Sequence, residues 1–323
     1  MTKKLLTVVI PTYNMEVYFS RCLDSLLINN ELLDKIEVLI INDGSQDRSS
    51  EIAHEYEKCY PDTFRVIDKE NGNYGSCVNR SLIDATGKYF KLLDADDWFL
   101  TESFERFIGY LEDCETDVVL TSYSQRFPNK SLHFNFQELT DGQRYLVDDI
   151  GPLKNSFCMH ALTFRLDLLR KVCLHHQEGI SYTDIEYCYF PLTKASDLTY
   201  FDLNLYQYYI GRDGQTISNI SFIKNKKDLI KVTNRVLHDF VSIKGMPESR
   251  KNILSDIILF PLYRLYQINL IYDKIEDSFI ELESLVMTNE EILQKTSKCT
   301  YRKVPFVSIW RRFGINCALL RFI

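Results

Sequence analysis

Three carboxylates fall within four positions of the stretch KYFKLLDADDWF, residues 88–99: Asp94, Asp96 and Asp97 stand directly behind the apolar run Tyr89, Phe90, Leu92 and Leu93. Charges at the end of a buried strand cost free energy unless a cation or a polar ligand pairs with them. Three acids so placed therefore suit a bound cation, although a lone D-x-D behind a strand also makes an ordinary turn or helix cap. Three further polar stretches share the setting: PTYN (11–14), NDGS (42–45) and NGNYG (71–75). NDGSQDRS by itself would serve as a turn followed by a helix N-cap. No G-x-x-x-x-G-K-[ST] phosphate loop occurs, and no Ser-His-Asp, Cys-His or His/Cys metal arrangement emerges.

The elements that must position these stretches alternate regularly. LLTVVI (5–10), IEVLII (36–41), FRVID (64–68) and YFKLL (89–93) read as strands. Between them lie helical spacings: Phe19, Cys22, Leu23, Leu26 and Leu27, then Ile52, Ala53 and Tyr56, then a helix to about Ala85. Apolar strands alternating with helices predict a parallel α/β sheet covered on both faces. In such a sheet ligands bind beyond the carboxyl ends of the strands, which is where all four polar stretches fall. A helix over 101–113 and a strand over 117–123 follow, and the pattern is mixed from about 124 to 220. ISYTDIEYCYF (180–190) stands out within that region, with Asp184 and Glu186. From about 222 to 298 the chain reads as mainly helical, and the last 23 residues form a basic, aromatic tail.

Composition narrows the function classes. A chain of 323 residues holds one large domain or two modest ones. The net charge of −7 argues against a nucleic-acid partner. Arg302, Lys303, Arg311, Arg312 and Arg321, with no acid among them, give the tail +5 and leave −12 on the first 300 residues. Nine irregularly spaced cysteines without a C-x-x-C predict free thiols in a reducing compartment. The short apolar run before Pro11 predicts neither a signal peptide nor a membrane span, so a cytoplasmic protein is expected.

VVIPTYN, VLIINDGSQDRS and ATGKYFKLLDADDWF resemble the family 2 glycosyltransferases of GT-A fold. The resemblance is strong over about residues 5–100, traceable to about 220, and does not cover the C-terminal third. It implies a GT-A domain over 1–220, with a nucleotide-binding half (1–100) and an acceptor half (101–220), followed by a helical region over 221–323. It also implies inverting, metal-dependent transfer of a hexose or N-acetylhexosamine from a UDP-sugar to a hydroxyl of a growing glycan, as in bacterial polysaccharide or glycoprotein assembly. The acceptor would be a free, lipid-linked or protein-linked glycan. Without a phosphate loop, a carboxylate-held divalent ion would clamp the diphosphate and act as a Lewis acid.

Residue by residue, the resemblance makes Asp96 the ligand of Mn2+ or Mg2+ and Asp94 a ribose or shared metal contact. Asp97 would be a helix cap or a partner of those acids. Pro11, Thr12 and Tyr13 would line the base, with Tyr13 stacking on it, and Asp43 would accept from the base N–H. Asn79 is kept in CVN (77–79), but Val78 occupies a position where many relatives carry arginine. Arg80 lies about 100° further round a helix and need not replace it. Asp184 would deprotonate the acceptor hydroxyl, and Glu186, two residues on, would not share its face. Arg212 in YQYYIGRDGQTIS would stabilise the diphosphate, and His160 in SFCMHALTF would line the acceptor cleft.

The tail either lies on an anionic membrane surface, making the protein peripheral there, or packs on the helical region or a second copy. Two other classes share parts of the pattern. A sugar-phosphate nucleotidyltransferase would show a Gly-rich, Arg/Lys-bearing loop after the first strand, which PTYNMEVYFSR lacks. A catalytically inactive GT-A partner subunit would have lost acids that are intact here.

Overall fold

Leu6–Thr12 (β1) and Ile36–Asn42 (β2) are among the most continuously apolar runs of the chain, and almost every residue of both is buried. A computed structural model describes residues 4–322 of the protein, apart from 174, 213 and 316. Two compact units are present, Met1–Arg212 and Asp213–Ile323.

In the first unit, β1 is followed by α1 (Glu16–Asp24), a single turn α2 (Asn30–Leu33), β2, α3 (Ser49–Cys59), β3 (Phe64–Asp68), α4 (Asn73–Asp84) and β4 (Tyr89–Leu92). These four strands pair in parallel in the order β3-β2-β1-β4, so their carboxyl ends share one edge. The parallel expectation holds here because each crossover helix returns the chain to the same end of the sheet.

The less legible half is mixed. It runs β5 (Trp98–Phe99), α5 (Thr101–Asp113), β6 (Val118–Phe127), β7 (Lys130–Phe134), β8 (Arg144–Leu146), β9 (Leu162–Arg165), α6 (Leu166–Val172), α7 (Asp184–Leu192) and β10 (Asp197–Tyr209). The sheet continues β4-β9-β6-β10-β5, with β9 antiparallel to both β4 and β6. β10 lies parallel to β6 with register shifts between Phe201 and Tyr206, and it runs antiparallel to the short β5. Through β5, β10 meets the chain directly behind the DADD acids.

The second unit contains α8 (Asn219–Lys224), α9 (Lys226–Ser242), α10 (Glu248–Gln267), α11 (Asp277–Val286), α12 (Glu290–Ser297) and α13 (Phe306–Phe313). Its buried charges are paired: Lys226 Nζ reaches Asp273 at 2.5 Å and Glu276 at 2.9 Å, and Arg311 Nε reaches Glu283 at 2.7 Å. Trp310 packs on Phe279 with ring centroids 5.8 Å apart. Part of the basic, aromatic tail is therefore interior to this unit.

Candidate active site

The loops after β1 and β2 are laced together by their own polar residues. Ser45 Oγ accepts from the Asn14 amide (3.2 Å), Asn14 Oδ1 from the Gln46 amide (2.8 Å), Ser49 Oγ from the Met15 amide (2.7 Å), and Asp47 from the Glu16 amide (3.0 Å). This fixes the PTYN turn: Thr12 is buried and bonds back to the Ile10 carbonyl, while Tyr13 is 45% exposed. An exposed ring on a pinned turn is available to stack on a planar ligand.

Asp43 is buried and already well supplied with donors. Its Oδ1 accepts from Lys69 Nζ (2.6 Å) and the Gly72 amide (2.9 Å), and its Oδ2 from the Asn73 amide (2.9 Å). It thus ties β2 to the N-terminus of α4, where an acid also complements the helix dipole. On α4, Val78 is fully buried, and Arg80 pairs with Asp84 (2.6 Å) on the outer face. Arg80 does not take over the place that Val78 leaves.

Behind β4 the three acids have three different environments. Asp94 Oδ1 accepts from the Tyr74 hydroxyl at 3.0 Å, and the Asp94 amide donates to the Tyr206 hydroxyl at 3.1 Å. Burial first, then repulsion from Asp96, pushes its carboxyl up to about 7. Asp97, fully buried, accepts from the Tyr206 hydroxyl (2.6 Å) and the Tyr209 amide (2.7 Å), which fastens the end of β10 to the motif. Burial and the neighbouring acids hold its carboxyl well above the usual range. It caps no helix, since α5 begins only at Thr101. Asp96 forms an ion pair with Arg212 Nε, and its backbone carbonyl accepts from the Arg21 guanidinium at 2.8 Å. That guanidinium lies 3.9 Å over the Trp98 ring.

His160 joins this group across the sheet. Its ring stacks on Tyr208 (centroids 4.3 Å apart) and Tyr123 (5.4 Å) and meets Tyr206 edge-on. Burial, with Lys91 nearby, lowers its pKa to about 3, so the imidazole is neutral at physiological pH and able to ligate. One potential ligand atom each from Asp94, Asp97 and His160 lie within 4.8 Å of one another, and Asp96 is not in that set. Two carboxylate oxygens and an imidazole nitrogen form a donor set that could hold a divalent metal ion.

Asp184 opens α7, half-buried, and burial pushes its carboxyl up to about 6. It is close enough to Asp94 and Tyr74 to raise both of their pKa values. Glu186, fully buried, instead accepts from the Gln177 amide at 2.9 Å. Asn79 fixes the same segment, accepting from the His176 amide (2.8 Å) and donating to the His176 carbonyl (3.0 Å). The segment lies so close to α4 that a Cβ on Gly75 would sit 2.1 Å from the Gln177 carbonyl oxygen. Asn79 and Glu186 thus both hold the 176–177 segment that precedes α7.

Four side chains at the site escaped sequence reasoning. Tyr74 bridges Asp94 and the Met159 sulfur, each at 3.0 Å. Lys91, fully buried, donates to the carbonyls of His160 (3.0 Å) and Leu162 (3.1 Å), and burial lowers its pKa to about 7. Tyr206 and Lys69 support Asp97 and Asp43. Of these, Tyr74 and Tyr206 lie within the stretches NGNYG and YQYYIGRDGQTIS, and Lys91 is marked as a charge at the centre of an otherwise apolar strand.

Residues 7–172 match the model of the family described as glycosyl transferase family 2. An uncharacterized glycosyltransferase of Mycoplasma pneumoniae, the MG025 homolog, is 44% identical over 106 residues, which cover 32% of this chain and 35% of that protein. This chain thus spans only about a third of the length of the curated relatives it matches in this way. S. aureus TarS in complex with UDP-GlcNAc shares the fold with a TM-score of 0.62 at 17% identity, over 90% of this chain and 81% of that one. Mannosyltransferase PcManGT from Pyrobaculum calidifontis, in complex with GDP-Man and Mn2+, gives a TM-score of 0.56 at 13% identity, over 97% of this chain and 88% of that one.

Proposed function

The chain belongs to glycosyl transferase family 2, and from that premise we propose that it moves a hexose or N-acetylhexosamine from a UDP-sugar to a hydroxyl of a growing glycan, with inversion at the anomeric carbon. The observation that carries this reading is the convergence of Asp94, Asp96, Asp97, Asp184 and Arg212 into one electrostatically coupled group at the carboxyl edge of the sheet. Tyr13 and the pinned β1–α1 turn receive the base, and Pro11 and Thr12 form the floor beneath it. The Asp43 amide bonds to the Thr12 carbonyl (2.9 Å), so Asp43 neighbours that turn, and the uracil N3–H would add a donor to those its carboxylate already has. The UDP-GlcNAc bound by TarS supports a uridine donor.

Mn2+ or Mg2+, held by the grouped ligand atoms of Asp94, Asp97 and His160 with Asp96 joining them, would neutralise the charge of the departing diphosphate. Arg212 adds a second positive charge there. Asp184 takes the proton of the acceptor hydroxyl as its oxygen attacks the anomeric carbon. A carboxyl raised to about 6 is well matched to that duty near neutral pH, because it is ionised yet still basic. The half from about residue 101 to 220 frames the acceptor.

The helical unit offers a membrane contact. Among the described residues no helix is long and apolar enough to cross a membrane. Phe313, Ile315 and Leu319 are nevertheless 60%, 55% and 77% exposed, close to the exposed Arg312. That combination favours a peripheral site on an anionic bilayer, where a lipid-linked acceptor would be found.

The test is a panel of nucleotide sugars with Mn2+, read by thermal shift and by nucleotide release, on the full chain and on Asp96→Ala. One UDP-sugar should raise Tm and be turned over by the wild type and not by the variant. Absence of stabilisation and of release with every UDP-sugar would overturn the proposal.

A further inference from the structure

The geometry points to Arg212 as a resident counter-cation that guards the metal ligand. Its guanidinium occupies Asp96 in a buried ion pair, and it yields Asp96 to a divalent ion only when a nucleoside diphosphate arrives to take the guanidinium. This rests on the reading of the site given above and adds an order of binding to it.

The pair is largely enclosed, with side-chain exposures of 17% for Arg212 and 7% for Asp96. It explains why Asp96 stands apart from the Asp94, Asp97 and His160 ligand atoms that already lie within 4.8 Å of one another. The backbone carbonyl of Asp96 is held separately by the Arg21 guanidinium at 2.8 Å, so its carboxylate can change partner without that bond breaking.

The chain carrying Arg212 is built to be placed and released. The β10 ladder is followed by one more backbone bond, from the Ile210 amide to the Arg126 carbonyl at 2.8 Å. Gly211 then adopts φ +126°, a conformation that side-chain-bearing residues rarely take, and turns Arg212 toward the acids.

An ion entering alone would have to displace a buried guanidinium and then stand beside it, two cations sharing one set of carboxylates. A diphosphate removes that conflict, because a planar guanidinium binds phosphate oxygens as readily as carboxylate oxygens. Ion and nucleotide must then strengthen each other's binding by the same factor.

Mn2+ binding to the nucleotide-free full chain, followed by the electron paramagnetic resonance of the free ion, tests this directly. Wild type should bind Mn2+ weakly, and UDP should tighten binding about tenfold or more, within the usual range of coupling between sites. Arg212→Gln should bind Mn2+ alone about tenfold more tightly than wild type, with most of the effect of UDP lost. Arg212→Lys, which keeps the charge, should restore weak binding, and unchanged thermal melts would show that both variants fold. If Arg212→Gln binds Mn2+ alone no better than wild type while Mn2+ and UDP bind together, the guarding role is overturned and the donor site stands. If wild type binds no Mn2+ even with UDP, the metal reading falls as well.

Discussion

Asp184 and Glu186 show how two adjacent acids acquire different tasks. Glu186 faces inward and accepts from the Gln177 amide, while Asp184 keeps a half-buried carboxyl raised to about 6 at the opening of α7. The i, i+2 spacing already implied that one acid at most would reach a substrate; burial decided which. If Asp184 is the base, only its ionised form works. Transfer should therefore fall about tenfold per pH unit below pH 6 and level off above it. Asp184→Asn should lower the transfer rate by about 100-fold or more and abolish that acid limb, with UDP-sugar binding retained. A pH–rate profile and a binding isotherm on both proteins check this, and an unchanged acid limb in the variant would remove Asp184 from the role. The unequal fates of Asp94, Asp96 and Asp97 follow the same logic, because consecutive residues leave a strand in different directions and meet different neighbours.

At the scale of elements, α4 couples Asp43 at the end of β2 to the acids behind β4. Its N-terminus is held by Asp43 from β2, its first turn sends Tyr74 to Asp94, and Asn79 reaches the 176–178 segment that leads to α7. Asp43→Ala would take the carboxylate from the partly exposed Lys69 ammonium, which keeps the Glu70 carbonyl and the Ser76 hydroxyl, and would free two backbone N–H groups. The loss should be about 1–3 kcal/mol, the scale of leaving buried donors without an acceptor. Urea denaturation should show it as a lower midpoint at unchanged slope, and a variant as stable as wild type would contradict this account of α4. The NDGSQDRS stretch reads as a turn with a helix cap, and Asp47 does accept from the first amide of α3 (Ser49, 2.9 Å), while Asp43 also holds a helix that begins 30 residues later in the chain. Nothing in local spacing marks a cap supplied from another strand.

For the whole molecule, an acidic first unit is followed by a helical unit whose last segment is divided in its loyalties. Arg311 and Trp310 turn inward to Glu283 and Phe279, and the Cys317 amide bonds to the Leu270 carbonyl at 3.0 Å. Phe313, Ile315 and Leu319 remain outside. The full chain should therefore sediment with vesicles containing phosphatidylglycerol and far less with phosphatidylcholine alone, and added salt should release it. Phe313→Ser combined with Leu319→Ser should weaken the association by about tenfold or more, given about 1.5–3 kcal/mol for each large apolar side chain withdrawn from water. A protein that ignores anionic vesicles and instead forms a dimer by light scattering would assign the same residues to a second copy.

The sequence by itself determined the four parallel strands, the helices between them and the edge at which the polar stretches meet. Those features arise from near-neighbour rules: apolar runs of strand length, 3.6-residue spacing, and turns that halt both. Only the tertiary structure decided that His160 stands with Asp94 and Asp97, that Arg212 holds Asp96, and that Asn79 and Glu186 grip one segment. The His160, Arg212 and Asn79 contacts join residues more than 60 positions apart, brought together by the insertion of β9 between β4 and β6 and by the return of β10. Strand order in a mixed sheet is chosen by which faces bury one another, and that choice leaves no period in the chain to be read.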